Sequence, residues 1–292
     1  MNLKHIPPAS FFQSEVRNGY TVTEEMKKVW ACQLDLLQEL LEVCNKYNLK
    51  CFADSGTLIG AIRDKGYIPG DDDIDMAMLR EDFDKLAEVA DQEFKAPYFF
   101  QTIYSDRHYT HRHAQLRNCD TAAYKESFTK RKMRCNNGIF VDIFILDTLP
   151  ATPRLYVKHI KKIRRAKLKL KIVSKFINRL PENIYRCLRD KTKCLSDSYL
   201  YSQYENLVRN VPADRSRLVC LICLRMNIKV KDSNDYKEVL YKDFEYIKIP
   251  VPCGYDNILK TDYGNYMVPV KIPTTHGEML FNTEKSYKDI EI

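Results

Sequence analysis

A chain of 292 residues with 45% apolar and 29% charged side chains can bury one large core or two small ones, and with only nine glycines it is neither fibrous nor low-complexity. No apolar run approaches the roughly 20 residues that cross a bilayer, and Met1-Asn-Leu-Lys-His-Ile-Pro-Pro lacks the apolar stretch of a secretory leader, so a cytoplasmic protein is expected. The formal charge of +8 is local: nine Lys/Arg and no acid lie between Lys158 and Lys175, and the remainder carries 38 basic against 39 acidic residues.

In chain order, Thr23 to Tyr47 predicts a long amphipathic helix, with Thr23 as N-cap, Glu24 and Glu25 in the first turn, and Val29, Leu36, Leu37, Leu40, Leu41 and Cys44 on its apolar side. Lys50 to Ala53 reads as a short buried strand. Ser55-Gly56-Thr57 turns into a helix over Leu58 to Arg63 that Gly66 ends, and Ile74 to Met78 is a second strand. A helix over Glu81 to Ala90 and strands at Tyr98–Ile103, Ala114–Arg117 and Ile139–Leu146 follow. From Pro153 to about Leu224 the pattern is mainly helical, and from Phe244 short strands alternate with turns rich in Tyr, Pro and Gly. The expected architecture is α+β: a mixed sheet flanked by helices over 1–150, a helical region over 151–235, and a segment over 236–292 that folds back onto the core. Most of the ten cysteines sit in apolar surroundings (Cys32, Cys44, Cys51, Cys187) and are read as reduced core residues. Cys220-Leu-Ile-Cys223 lacks the second pair that a zinc site needs and is read as two helix-core thiols.

The chemistry concentrates in Asp71-Asp-Asp-Ile-Asp75. On a strand, residues two apart share a face, so Asp73 and Asp75 point together while Ile74 and Met76 face the core, and Asp71 has the same parity. Two carboxylates about 4 Å apart repel by roughly 4 kcal/mol at an effective dielectric near 20. Such a cluster calls for a proton or a cation, and all-oxygen ligands favour Mg²⁺ or Mn²⁺. A later strand carries Phe140-Val-Asp142-Ile-Phe144, whose lone acid completes a metal site or serves as general base if it lies beside Asp73 and Asp75. Asp147, at that strand's end, is the weaker candidate. The small-residue turn Ser55-Gly56-Thr57 at a helix start offers backbone N–H groups to phosphate. A solvated acidic turn is the alternative reading of the Asp run alone; the combination of turn, Asp-x-Asp and later-strand Asp favours phosphoryl-transfer chemistry.

At these residues the sequence resembles a known family. Gly56-Thr-Leu-Ile-Gly-Ala-Ile-Arg63, Gly66-Tyr-Ile-Pro69, Asp71-Asp-Asp-Ile-Asp75 and Phe140-Val-Asp142-Ile-Phe144-x-x-Asp147 resemble the LicD family, which includes the fukutin-related proteins, within the nucleotidyltransferase superfamily. Met26-Lys-Lys-x-Trp30 and Ile249-Pro-Val-Pro252 through His276 occur in the family's order. The chain departs from the usual pattern at Gly70 (commonly Trp), Asp64 (commonly His) and Asn265 (commonly Asp). The resemblance implies transfer of a substituted phosphate, such as phosphocholine, from a CDP-activated donor to a sugar hydroxyl of a cell-surface glycan. It implies that Asp73 and Asp75 are metal ligands with Asp71 a third, that Asp142 is ligand or base, and that Gly56 and Thr57 meet the donor phosphates.

Outside that core, Arg63 follows the Gly56 turn at phosphate reach, and Tyr255, Asp256, Tyr263, Tyr266 and His276 in the tail are candidates to close over the donor. His108, His111 and His113 are read as an exposed polar loop. Ile163, Ala166, Leu170, Val173, Ile177 and Leu180 recur at helical spacing within the basic segment. A helix over 158–175 of this kind suits an anionic membrane surface and an acceptor glycan on a lipid carrier, with a solvated bundle helix as the plain alternative. No nucleic-acid recognition motif accompanies it. The competing functions are a nucleotidyltransferase that releases pyrophosphate and, from another class, an inactive membrane-associated scaffold of the same fold.

Overall fold

The computed structural model describes residues 2–128, 132–181, 183–185, 187, 197–211, 218–221, 229–270 and 279–291. A small hairpin, β1 (Glu15–Arg17) and β2 (Tyr20–Val22), leads into the long helix α1 (Glu24–Lys46). The Thr23 hydroxyl accepts the Met26 N–H at 3.2 Å, and Glu24 and Glu25 complement the positive end of the helix. The face carrying Val29, Leu36, Leu37, Leu40 and Cys44 is buried against the sheet.

That sheet is built on β8 (Ile139–Leu149). Along one side runs β4 (Asp75–Leu79), parallel to it over Asp142–Leu146, with β3 (Phe52–Ala53) antiparallel outside β4. Along the other side, β6 (Ala114–Asn118) covers the first half of β8 and itself carries β5 (Tyr98–Gln101). Helix α2 (Ser55–Ile59) follows β3, and α3 (Arg80–Glu93) follows β4. A short strand β7 (Ala122–Tyr124) precedes β8. The fold is thus α+β with a mixed sheet, as expected.

After β8 come α4 (Pro153–Asn178) and α5 (Asp197–Arg209), which pack on each other. The region read as helical also contributes strands. β9 (Leu218–Cys220) pairs with the second half of β8, and β10 (Lys231–Asp232) pairs with β9, so Cys220 is a strand residue and not a helix-core thiol. Leu218-Val-Cys220 finds an open edge on β8, a partner distant in sequence that local periodicity does not reveal. Cys223 lies outside the described residues. Cys32, Cys44, Cys51 and Cys220 are buried free thiols, whereas Cys187 is exposed.

The tail returns to the core as a hairpin, β11 (Val239–Phe244) with β12 (Ile247–Pro252), then α6 (Tyr255–Tyr263) and β13 (Leu280–Asn282), which pairs with β7. Glu245 at the hairpin turn fixes the docking. Its carboxylate accepts from the Arg17 guanidinium at 2.5 and 2.7 Å and from the Tyr67 N–H at 3.0 Å.

Candidate functional site

The acid-bearing loop is held from below by α1. Trp30 donates its indole N–H to the Asp71 carbonyl at 3.1 Å, and the Gln33 amide donates to the Asp72 carbonyl at 2.7 Å. Tyr67 stacks on Trp30 with ring centroids 4.3 Å apart and donates its hydroxyl to Gln33 at 3.0 Å. Side chains capture these two carbonyls, so residues 71 and 72 are held by α1 and not by a neighbouring strand, and β4 begins at Asp75, one residue later than the sequence suggested.

Ile74 and Met76 are fully buried, which turns Asp73 and Asp75 to the opposite side. The parallel pairing sets Asp75 directly beside Asp142, and the Asp142 N–H donates to the Ile74 carbonyl at 2.9 Å. Carboxylate oxygens of Asp73, Asp75 and Asp142 lie within 4.8 Å of one another. Asp71 belongs to a second, adjoining group, with Asp72 and Asp73 under the same limit, so Asp73 joins the two. Asp72, which alternation turned away from the cluster, is thereby part of it.

The three central acids do not behave alike. Burial, then the charges of Asp71, Asp142 and Asp72, holds Asp73 well above the usual carboxylate range. Burial, then Asp73 and Asp142, does the same to Asp75. Asp142 is as deeply placed, and burial pushes it up too, but His113 and Gln115 outweigh that and leave it below its ordinary value. His113 Nε2 lies 3.1 Å from Asp142 Oδ1, where its N–H is donated to the ionised carboxylate, and Gln115 Nε2 donates to the same oxygen at 2.6 Å. Arg117 donates in turn to Gln115 Oε1 and to Gln101 Oε1, fixing the amide's orientation. Strand alternation explains the set: Gln115 of β6 pairs directly with Asp142, and Arg117 and His113, which stands just before the strand, have the same parity.

His113 therefore does not sit in an exposed loop: its side chain is 9% exposed, and its ring packs edge-on against Phe144 at 4.8 Å. Periodicity could have flagged His113-x-Gln115-x-Arg117 as one polar strand face, but only the pairing of β6 with β8 shows what it touches.

The remaining candidates divide. Ser55 adopts φ 49° and donates its hydroxyl to Asp54 at 3.0 Å. Gly56 lies so close to Asp71 that a Cβ there would meet Asp71 Oδ2 at 2.7 Å. The buried Thr57 hydroxyl accepts the Asp75 N–H at 2.8 Å, tying α2 to the start of β4. This small-residue turn thus adjoins the acids. Arg63 lies in a π-helical turn, Gly60–Asp64, where it pairs with Asp64 at 2.8 Å and donates to the Tyr266 carbonyl at 3.1 Å, clamping the tail. Tyr255 and Asp256 open α6, which packs beside α2; Asp256 accepts from Lys260 at 2.6 Å and from the Tyr266 hydroxyl at 2.8 Å. His276 lies outside the described residues. Asp147 is bound to Arg80 at 2.7 Å and is not among the carboxylates that gather around Asp73.

The sequence around these acids is similar to that of known proteins. Residues 48–167 match the model of the LicD/FKTN/FKRP nucleotidyltransferase domain. The chain is 28% identical over 265 residues to the lipopolysaccharide cholinephosphotransferase LicD of Haemophilus influenzae, covering 87% of this chain and 94% of that protein. Shorter matches, 40% identity over 57 residues and 38% over 73, join it to uncharacterised proteins of Rickettsia prowazekii and Rickettsia typhi, each covering a quarter or less of either chain. β4, β8 and the acids Asp71, Asp73, Asp75 and Asp142 all fall inside the segment that matches the LicD/FKTN/FKRP nucleotidyltransferase domain.

Proposed function

We propose that the protein transfers a substituted phosphate, with phosphocholine the best-supported group, from a CDP-linked donor to a sugar hydroxyl of a lipopolysaccharide-type glycan. The observation that carries this reading is the meeting of Asp73, Asp75 and Asp142 beside the Gly56 turn, within a chain that aligns along nearly all of a cholinephosphotransferase.

The donor set fits a divalent cation. Three carboxylates converge, two of them destabilised as anions by burial and by one another, and hard oxygen ligands of this kind suit Mg²⁺ or Mn²⁺. Asp73, Asp75 and Asp142 would hold it, with Asp71 adjoining, and when bound the ion supplies positive charge against the donor's phosphates. Asp142 is better suited to ligation than to general-base work, because a carboxylate held below its ordinary pKa binds a proton weakly. The turn at Ser55, Gly56 and Thr57 borders the acids and is the part of the chain placed to meet the diphosphate. In the reaction the acceptor oxygen attacks phosphorus, the bond to the CMP oxygen breaks, CMP departs, and the hydroxyl proton passes to solvent or a carboxylate.

Supplying CDP-choline and CTP separately, with and without Mg²⁺ and a lipopolysaccharide acceptor, tests the proposal. Acceptor-dependent CMP release from CDP-choline is expected. Pyrophosphate release from CTP would replace this reading with nucleotidyl transfer, and no release from either would replace it with an inactive scaffold.

A further inference from the structure

Helix α4 carries two apolar stripes, and among the described residues only one of them is packed against a neighbour. Ile160 and Ile163 face inward, joining Tyr201, Tyr204 and Val208 of α5 in a small core, and Ile177 is buried as well. Lys167, although basic, also turns inward, its ammonium lying 6.0 Å from the Tyr204 ring centroid. The second stripe is Val157, Leu168, Ile172 and Phe176, exposed by 48%, 57%, 58% and 64%. Leu168, Ile172 and Phe176 follow one another at four-residue steps, and Val157 stands about three turns before Leu168, so the four align along one side. That side is opposite Ile160 and Ile163. A helix that packs through one face has no structural use for a second apolar row in water.

The charges around this row are all of one sign. Lys161 and Arg165 lie within it. Arg164, Lys171 and Lys175 border it on one flank, and Lys158, Lys162 and Lys169 on the other. No Asp or Glu occurs between Asp147 and Glu182. A second copy of the same face would be repelled by these charges. A nucleic acid would answer the cations but leave the apolar row unsatisfied. A surface with anionic headgroups above an apolar layer answers both.

We infer that the outer face of α4 docks on an anionic lipid surface, with Val157, Leu168, Ile172 and Phe176 entering the headgroup boundary and the flanking Lys and Arg pairing with lipid phosphates. No described helix is long and apolar enough to cross a membrane, so the contact is interfacial. The inference does not rest on the proposed reaction, and its test does not measure turnover.

Co-sedimentation of the full chain with phosphatidylcholine vesicles, with and without phosphatidylglycerol, provides the test. The chain is expected to sediment with phosphatidylglycerol-containing vesicles, to be released as salt rises, and to leave pure phosphatidylcholine vesicles largely unbound. Replacing Leu168, Ile172 and Phe176 together by Ser, at positions already in water, is expected to weaken partitioning at least about ten-fold. Lys162→Gln and Lys169→Gln are each expected to weaken it about five-fold, and circular dichroism establishes that every variant is folded. Two results would overturn the inference: no retention by phosphatidylglycerol vesicles at low salt, or retention that the triple Ser variant leaves unchanged. An oligonucleotide that competes equally for wild type and triple variant would assign the face to nucleic acid instead.

Discussion

Asp142 stays ionised in a crowded acidic setting because His113 and Gln115 both donate to its Oδ1, while burial and the neighbouring acids hold Asp73 and Asp75 above the usual carboxylate range. Two predictions belong at this scale. Asp73→Asn and Asp75→Asn remove charge from a self-repelling group, so each should abolish turnover while raising the melting temperature of the metal-free protein, by about 2–4 °C for each kcal/mol of repulsion relieved. Calorimetry beside a CMP-release assay checks both halves, and an active Asn variant refutes the role assigned. His113→Ala should lower kcat by about 10–100-fold and weaken Mg²⁺ activation without unfolding the chain, as loss of a residue that orients a ligand does. Unchanged metal activation in that variant would reduce His113 to packing.

At the scale of elements, β8 organises the molecule by presenting different partners along its length. Its first half lies between β4 and β6 and carries Asp142; its second half pairs with β9 and carries Asp147. Arg80, the first residue of α3, joins that second half to α5: its guanidinium donates to Asp147 at 2.7 Å and to Glu205 at 2.9 Å, and the Tyr104 hydroxyl donates to Glu205 at 2.7 Å. Even beside Arg80, burial keeps Asp147 above the ordinary carboxylate range. Arg80→Met would strand Asp147 as a buried anion and should cost about 3–5 kcal/mol in urea unfolding, whereas the added change Asp147→Leu should recover much of that loss. If the double variant is no more stable than the single one, the pair is not the anchor of α5. The sequence left Asp147 as a weaker site candidate because its partner, Arg80, lies far away in the chain and only the parallel pairing of β4 with β8 brings it near.

For the whole molecule, the acid cluster makes stability depend on pH and cation together. Asp73 and Asp75 hold their protons at higher pH in the folded chain than in the unfolded one. The folded state therefore binds more protons, and the stability of the metal-free protein is greatest below the unfolded carboxylate value and falls as pH climbs toward the raised values. Asp142, lowered in the folded state, contributes in the opposite sense, but in the more acid window below its ordinary value. A bound cation replaces the missing protons, so Mg²⁺ should raise the melting temperature more at about pH 8 than at about pH 5. An equal rise at both values would show that the cation binds elsewhere.

The sequence by itself determined what is local. The Thr23 cap and the apolar side of α1, the burial of Ile74 and Met76 that turns out Asp73 and Asp75, and the basic amphipathic α4 all follow from capping chemistry and from the periods of helix and strand. The tertiary structure alone decided what is distant. It placed Asp75 opposite Asp142, His113 and Gln115 on that acid, Arg80 on Asp147, and Cys220 in the sheet. Strand partners and register are set by complementary surfaces far apart in the chain, and no periodicity within a segment encodes which edge it will meet.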